Sequence, residues 1–200
     1  MRSRLTVGGA RLRPRALLVP LVVAMGAGVS AGLLATPAQA QVTYLCSGYG
    51  GCRGEHHPDA GYRWHRDMSY WSMGPGHNCT NYVAYRIQRN GGPAIRPWVN
   101  NGNAEFWKRG AKTLRAIRHG VRVDHTPAVG SVAWYSNKRY PHGHVMYVEK
   151  VVGTTIYVSE DNWGGTFHWK RITRGSGTTP ARGWPEAFLH IHDVKLRGTS

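Results

Sequence analysis

The feature that most restricts the fold is the order of the patterns along the chain, with helical segments first and strand-like segments afterwards. Residues 79–90 carry apolar side chains at helical spacing between Asn78, a good N-cap, and the breaker 91–93, Gly-Gly-Pro. A shorter helix is predicted over 104–110. The segments rich in β-branched and aromatic residues are 131–135, 143–152, 154–159, 166–173 and 187–192. A single glycine, Gly153, between two of them indicates an antiparallel hairpin, so the pattern predicts an α+β domain.

The first 40 residues have the three-part layout of a secretory signal. Five arginines precede an apolar run over 16–34, and Ala38-Gln39-Ala40 has the form that signal peptidase cuts. We predict a signal peptide over 1–40 with cleavage after Ala40, and a product secreted from the cytoplasm. An uncleaved anchor is the alternative, because the run is just long enough to span a bilayer.

The chain of 200 residues has room for one domain and is strongly basic. It has 26 Lys and Arg against 10 Asp and Glu, and loss of the five leader arginines would lower the formal charge from +16 to +11. Such a charge suits a protein that approaches anionic polymers or phosphate-bearing surfaces. Nucleic acid is the other reading, but export and the lack of a nucleic-acid motif argue against it. We expect a monomer with no nucleic-acid partner.

Three cysteines are an odd number for an exported chain. Cys46 and Cys52 enclose a loop with three glycines, and we predict that they form a disulfide while Cys79 stays a free thiol. Residues 41–62 around this loop lack helical or strand periodicity. They are interpreted as a disulfide-clipped extension that lies on the domain.

Cys79 is the candidate nucleophile because it occupies the first position of the capped helix. A thiol there faces the positive end of the helix dipole and free backbone N–H groups, which favour the thiolate and can hold an oxyanion. A buried, inert cysteine is the alternative. His144 begins an aliphatic strand and is the candidate base.

The hairpin at Gly153 predicts which residues lie near His144. If the turn is centred there, paired residues have numbers that sum to about 306, which places His144 opposite Asn162 and diagonal to Glu160. Strand alternation puts Glu160 and Asn162 on one face and Asp161 on the other. This is the geometry of papain-type catalysis.

Five blocks of the sequence resemble the CHAP family, the cysteine, histidine-dependent amidohydrolases/peptidases that cut bacterial peptidoglycan. The blocks are 78–84, 102–107, 127–132, 143–148 and 160–163. The resemblance covers about residues 63–175 and implies a papain-like α+β fold with N-terminal helices packed on an antiparallel β-sheet. Ser131 departs from the Asp of many members, at a position that is usually a turn residue. We set the catalytic domain at 63–193; the extension 41–62 and the tail 194–200 have no counterpart in the family.

The resemblance implies that Cys79 is the nucleophile and His144 the base, and that Glu160 and Asn162 orient and polarise the imidazole. Only one of these two can take the proton on the far ring nitrogen. We expect Glu160 to do so, because a carboxylate stabilises an imidazolium better than an amide does. Asn162 is then a second contact, and Asp161 is expected to tolerate alanine with nearly full activity.

Trp163 and three histidine pairs need separate interpretation. Trp163 is predicted to form the floor of the cleft and to bind substrate, with packing in the core as the alternative. The pairs are 56–57, 142 and 144, and 190 and 192, and no carboxylate or cysteine lies at a ligand-like spacing from them. We therefore expect no metal site.

The function predicted from these residues is a secreted cysteine-dependent peptidoglycan hydrolase. We expect it to be extracellular or cell-wall associated, and its positive charge suits an approach to anionic cell-wall polymers. It would cut an amide bond of the peptide stem or cross-bridge, as an amidase or an endopeptidase, without a cofactor. One alternative is a wall-binding module with an inactive site. Another is a secreted thiol amidohydrolase that acts on a non-wall substrate.

Overall fold

The computed structural model describes residues 39–99, 102–175 and 183–195. The predicted signal peptide lies outside the described residues apart from Gln39 and Ala40, and so does 196–200 of the predicted tail. Within the described ranges no helix is both long and apolar enough to cross a membrane.

The described chain folds into helices and one antiparallel sheet, which confirms the predicted α+β class. The helices are α1 (Tyr49–Gly54), α2 (Cys79–Arg89), α3 (Trp107–Ala111) and α4 (Leu114–Arg118), with 3-10 turns at Tyr62–Trp64 and Ala104–Phe106. The strands are β1 (Gln41–Ser47), β2 (Arg122–Asp124), β3 (Val132–Asn137), β4 (Tyr140–Val152), β5 (Thr155–Asp161), β6 (Phe167–Thr173) and β7 (Ala187–His190). Across the described residues the sheet order is β1-β6-β5-β4-β3-β7-β2.

The segment 41–62, which lacks helical or strand periodicity in the sequence, contains the edge strand β1. β1 pairs antiparallel with β6 along its length. Most of its side chains are exposed, so the strand formed without the alternation of apolar and polar residues that sequence reasoning requires. α1 follows directly, and the disulfide between Cys46 and Cys52 joins the strand to the helix.

The connection between α2 and β3 also contains more regular structure than the sequence indicated. The single helix predicted over 104–110 is a 3-10 turn followed by α3, and the short elements α4 and β2 come after it. α4 has five residues and β2 has three, too few for a hydrophobic period to show.

The β4–β5 hairpin keeps the predicted register on the site side of its bulge. Tyr147 lies opposite Ser159 and Val148 opposite Val158, as a turn at Gly153 requires. A β-bulge after Val148 shifts the pairing by one residue toward the turn. Because the shift lies on the turn side, the pairing at the site end keeps its predicted register.

Helix α2 is fixed on two sides, which holds its N-terminus in place. Tyr82 at the helix donates a 2.7 Å hydrogen bond to Ser159 in the sheet. On the other side, the buried Asn81 donates to the Tyr62 hydroxyl at 2.8 Å and accepts from the Tyr70 backbone N–H at 2.8 Å. A helix held in this way cannot slide along its axis without breaking buried hydrogen bonds.

A buried ion pair adds a third tether. The Arg86 guanidinium in α2 pairs with the Glu149 carboxylate at the bulge, with Nη2 2.9 Å from Oε2. Tyr147 contributes its ring face to the same guanidinium, 4.3 Å from Cζ to the ring centroid. The bulge in β4 therefore coincides with the point at which the sheet binds helix α2.

Candidate active site

Cys79 begins helix α2, as the sequence predicted, and its side chain is half-buried. Asn78 caps the helix, because its side chain accepts from the Thr80 backbone N–H at 3.0 Å and from the Thr80 hydroxyl at 2.8 Å. The Asn78 amide also donates to the Gly74 carbonyl at 2.9 Å, which fixes the loop before the helix. Cys79 is the free thiol, since Cys46 and Cys52 are joined.

His144 lies in β4 with 5% of its surface exposed. Its Nε2 is 2.6 Å from Oε2 of Glu160, and the Tyr140 ring stacks on the imidazole at 4.8 Å between centroids. Gly143 before it has φ 75°, and a Cβ at this position would overlap the backbone of Glu105. The 3-10 turn that precedes α3 can therefore approach the histidine strand only because residue 143 is glycine.

Glu160 is fully buried and surrounded by partners. Besides His144, the Lys170 ammonium pairs with Oε1, His168 Nδ1 lies 3.4 Å from Oε1, and the Asn162 amide donates to Oε1 at 3.2 Å. Burial alone would raise the pKa of Glu160, but hydrogen bonds from the two histidines and the charges of His144 and Lys170 hold that pKa well below its usual range. The carboxylate is therefore ionised.

The charge on Glu160 acts on His144 together with the thiol. Burial alone would lower the pKa of His144, but the charge and hydrogen bonding of Cys79 and Glu160 raise it from 6.5 to about 9. Because Nε2 is taken by Glu160, Nδ1 is the ring nitrogen left for Cys79. At neutral pH His144 is therefore largely an imidazolium.

Lys170 and His168 were not identified from the sequence. Both lie in β6, where His168 is opposite Glu160, and Lys170 is on the same face two residues further along. A lysine between Trp169 and Ile172 in a strand-like segment was the available signal, because a buried lysine needs a carboxylate partner. The partner lies in β5. The sequence analysis did not predict that β5 pairs with β6.

Asn162 contacts Glu160 rather than the imidazole. Its amide nitrogen lies within hydrogen-bond distance of Oε1 of Glu160 at 3.2 Å, the Thr166 carbonyl at 3.3 Å and His168 Nδ1 at 3.1 Å. Within the described part of the chain, none of its hydrogen bonds reaches His144. Asn162 thus supports the carboxylate that supports the ring.

Asp161 lies on the opposite strand face, as alternation predicted, but it is not a free surface residue. It is fully buried, and its two oxygens bind Nδ1 of His77 at 2.7 Å and the Tyr49 hydroxyl at 2.6 Å. Burial raises the pKa of Asp161 despite these hydrogen bonds. The expectation that Asp161 tolerates alanine with nearly full activity overlooked these partners.

Trp163 is 76% exposed, so the core-packing alternative is wrong. Its ring borders Gly74 in the loop before the nucleophile helix, where a Cβ on the glycine would come within 3.5 Å of the ring. The Trp163 side chain is therefore available on the surface beside the Cys79 loop. Contact with substrate remains a prediction.

A cavity of about 750 Å³ lies behind the site, lined among others by Tyr135, Tyr140, Met146, Lys170 and Trp184. It borders the partners of Glu160 and His144 but is not lined by Cys79. We therefore do not assign it as the catalytic cleft. Within the described residues, no group of three or more His, Cys, Asp or Glu side chains could hold a metal ion.

Comparison with known proteins shows what this domain is similar to. Residues 68–162 match the family model of the CHAP domain, which confirms the resemblance found in the sequence. The matched segment contains Cys79, His144, Glu160 and Asn162. The α+β fold of the structure agrees with this class.

One curated relative is the probable autolysin SsaALP of Staphylococcus aureus (strain NCTC 8325 / PS 47). It is 36% identical over 86 residues, a match that covers 42% of this chain and 29% of the relative. The chain thus matches less than a third of the length of that protein. No solved structure matches the chain.

The raised pKa of His144 predicts an alkaline limit to catalysis. The imidazolium is complete below the ordinary value of 6.5 and is lost as pH rises through about 9, so steps that need its proton slow there. NMR titration of the ring should give a midpoint near 9 in the wild type and a lower one in Cys79→Ala, which lacks the thiolate charge. A wild-type midpoint at the ordinary value would contradict the ion pair.

Substitutions at Glu160 and Asn162 should differ in their effects. Glu160→Gln leaves His144 and Lys170 without a buried counter-charge, and we expect kcat for amide hydrolysis to fall by about 100-fold or more. Asn162→Ala removes one hydrogen bond to the carboxylate and should lower kcat by about tenfold or less, with KM little changed in both variants. A larger loss in Asn162→Ala would mean that the amide, not the carboxylate, orients the ring.

Proposed function

We propose that this protein is a secreted cysteine-dependent peptidoglycan hydrolase that cuts an amide bond of the peptide stem or cross-bridge. The observation that carries the proposal is the coupling of Cys79, at a capped helix N-terminus, to His144 and through it to the ionised Glu160. The CHAP match over 68–162 and the similarity to a probable autolysin support a wall substrate and a location outside the cytoplasm.

The first half of the reaction forms an acyl-enzyme. The thiolate of Cys79 attacks the carbonyl carbon of the amide, and the carbonyl electron pair moves to the oxygen. Backbone N–H groups of the first turn of α2 stabilise the oxyanion. His144 then gives its Nδ1 proton to the leaving nitrogen as the C–N bond breaks, while Glu160 keeps the ring oriented.

The second half releases the product. The imidazole of His144, now neutral, takes a proton from a water molecule, and the hydroxide attacks the thioester carbonyl carbon. Collapse of the tetrahedral intermediate breaks the C–S bond and restores the thiolate. The buried charge of Glu160 stabilises the imidazolium each time it forms, so one carboxylate serves both halves of the cycle.

A basic surface adjoins the histidine strand and supports binding to anionic wall polymers. It consists of Arg109, Lys112, Arg115 and Arg118, all exposed and, within the described part of the chain, none paired with a carboxylate. The segment follows the 3-10 turn that packs on Gly143. Four unpaired cations in ten residues form a local positive potential that attracts a polyanion.

Loss of the thiol tests the proposed reaction. Cys79→Ala should abolish release of soluble fragments from purified sacculi while the melting temperature stays close to that of the wild type. Mass spectrometry of the wild-type digest identifies the bond: intact stem peptides mean an amidase, and new amino termini within the stem or bridge mean an endopeptidase. Undiminished lysis by Cys79→Ala would exclude the mechanism, and wall binding without new termini in the wild type would favour an inactive binding module.

Neutralisation of the basic surface tests the polymer contact. The quadruple variant has Gln at residues 109, 112, 115 and 118. It should bind intact walls at least about tenfold more weakly at low salt, and its binding should depend less on added salt, because fewer counterions are exchanged. Its kcat on a soluble muropeptide should not change. The matched control has Gln at four exposed cations elsewhere, Arg89, Lys138, Arg171 and Lys195. An equal loss in the control would mean that net charge, not this surface, governs binding.

A further inference from the structure

The end of strand β5 carries two consecutive acidic residues that face opposite ways. Glu160 binds Nε2 of His144 at 2.6 Å on one face. Asp161 binds Nδ1 of His77 at 2.7 Å on the other face. His77 is two residues before Cys79, so adjacent residues of one strand bind His144 and the loop that leads to Cys79.

The loop that leads to Cys79 is fixed by three contacts at His77. Its Nδ1–H donates to Asp161, and its Nε2 accepts from Arg66 Nη1 at 3.1 Å. Its backbone carbonyl accepts from the Gly164 N–H at 3.2 Å. A displacement of Asp161 would therefore move the segment that positions the thiol.

Asp161 is in turn held by a residue from outside the matched CHAP segment. The Tyr49 hydroxyl donates to Oδ2 of Asp161 at 2.6 Å. The Tyr49 ring stacks with the His77 ring at 5.5 Å and with the Phe167 ring at 5.3 Å between centroids. Tyr49 thus contacts both the carboxylate and the histidine that it binds.

The disulfide restricts where Tyr49 can be. Tyr49 lies between Cys46 and Cys52, in a loop closed by the bond, and the Gly48 N–H donates to the Phe167 carbonyl at 2.7 Å. Without the bond the loop gains conformational freedom. Holding the Tyr49 hydroxyl against Asp161 then requires a larger loss of conformational entropy. A buried carboxylate that loses one of two partners would shift toward the remaining one, which is His77.

We propose that Tyr49 and Asp161 are positioning residues that, together with the Cys46–Cys52 disulfide, set the place of the Cys79 thiol relative to His144. The inference rests on the proposed function of Cys79. It assigns a role in catalysis to the N-terminal extension. It also gives the three cysteines opposite requirements, since two must be oxidised and one must stay reduced for activity.

Removal of one hydroxyl tests this role. Tyr49→Phe keeps the stacked ring but loses the hydrogen bond to Asp161, and we expect kcat on a soluble muropeptide to fall by about tenfold, because small misplacements of reacting groups are costly. KM should stay within about twofold of the wild type. Tyr85→Phe is the matched control, since it removes a 2.7 Å hydroxyl bond to the Ala60 carbonyl that involves neither His77 nor Asp161. Equal losses of kcat in the two variants would overturn the proposal.

A readout that needs no substrate separates this inference from the proposed function. The rate of Cys79 alkylation by iodoacetamide at neutral pH should fall several-fold in Tyr49→Phe, in Asp161→Asn and in the double variant Cys46→Ser/Cys52→Ser, but not in Tyr85→Phe. Melting temperatures identify any variant that fails to fold. If Asp161→Asn or the double cysteine variant fails to fold, the alkylation rate of Tyr49→Phe decides the test. Unchanged alkylation in a folded Tyr49→Phe would refute positioning, whereas lysis that survives Cys79→Ala would refute the proposed function instead.

Discussion

Glu160 has no exposed surface, and a buried carboxylate is stable in its charged form only when cations and hydrogen-bond donors surround it. Lys170 and His168 from β6 and His144 from β4 meet this requirement, so three neighbouring strands converge on one charge. The charge of Cys79 and, after it, that of Glu160 raise the pKa of His144 and favour the imidazolium beside the thiol. The carboxylate whose charge the sheet balances therefore also helps to keep His144 protonated.

The parts that support the site come from both sides of the matched CHAP segment. The match covers 68–162 and includes the four candidate catalytic residues, whereas Tyr49 precedes it and Lys170 follows it. β1 and β6 are neighbours at the edge of the sheet, so the two flanks of the segment are also paired with each other. The two flanks thus lie together on one side of the sheet, and residues outside the family match help to support the site.

Local sequence signals were sufficient to predict the candidate catalytic residues, but they did not predict the residues that hold them in place. The cap at Asn78 and the single glycine of the Gly153 turn predicted that Cys79 begins the helix and that His144 lies near Glu160, because both depend on short stretches of chain. The hydrogen bond from Tyr49 to Asp161 joins residues 112 positions apart, and no short-range pattern reports such a contact. β1 was missed for a related reason, since an exposed edge strand has no alternation to detect.

The disulfide between Cys46 and Cys52 also ties the state of the site to its surroundings. In a reducing cytoplasm such bonds do not persist, so a newly made chain would have a loosely held Tyr49 loop and a poorly aligned thiol. After the proposed export, oxidation would close the loop and align the thiol. A chain with these proposed properties would be latent where it is synthesised and would mature only in the compartment that holds its proposed substrate.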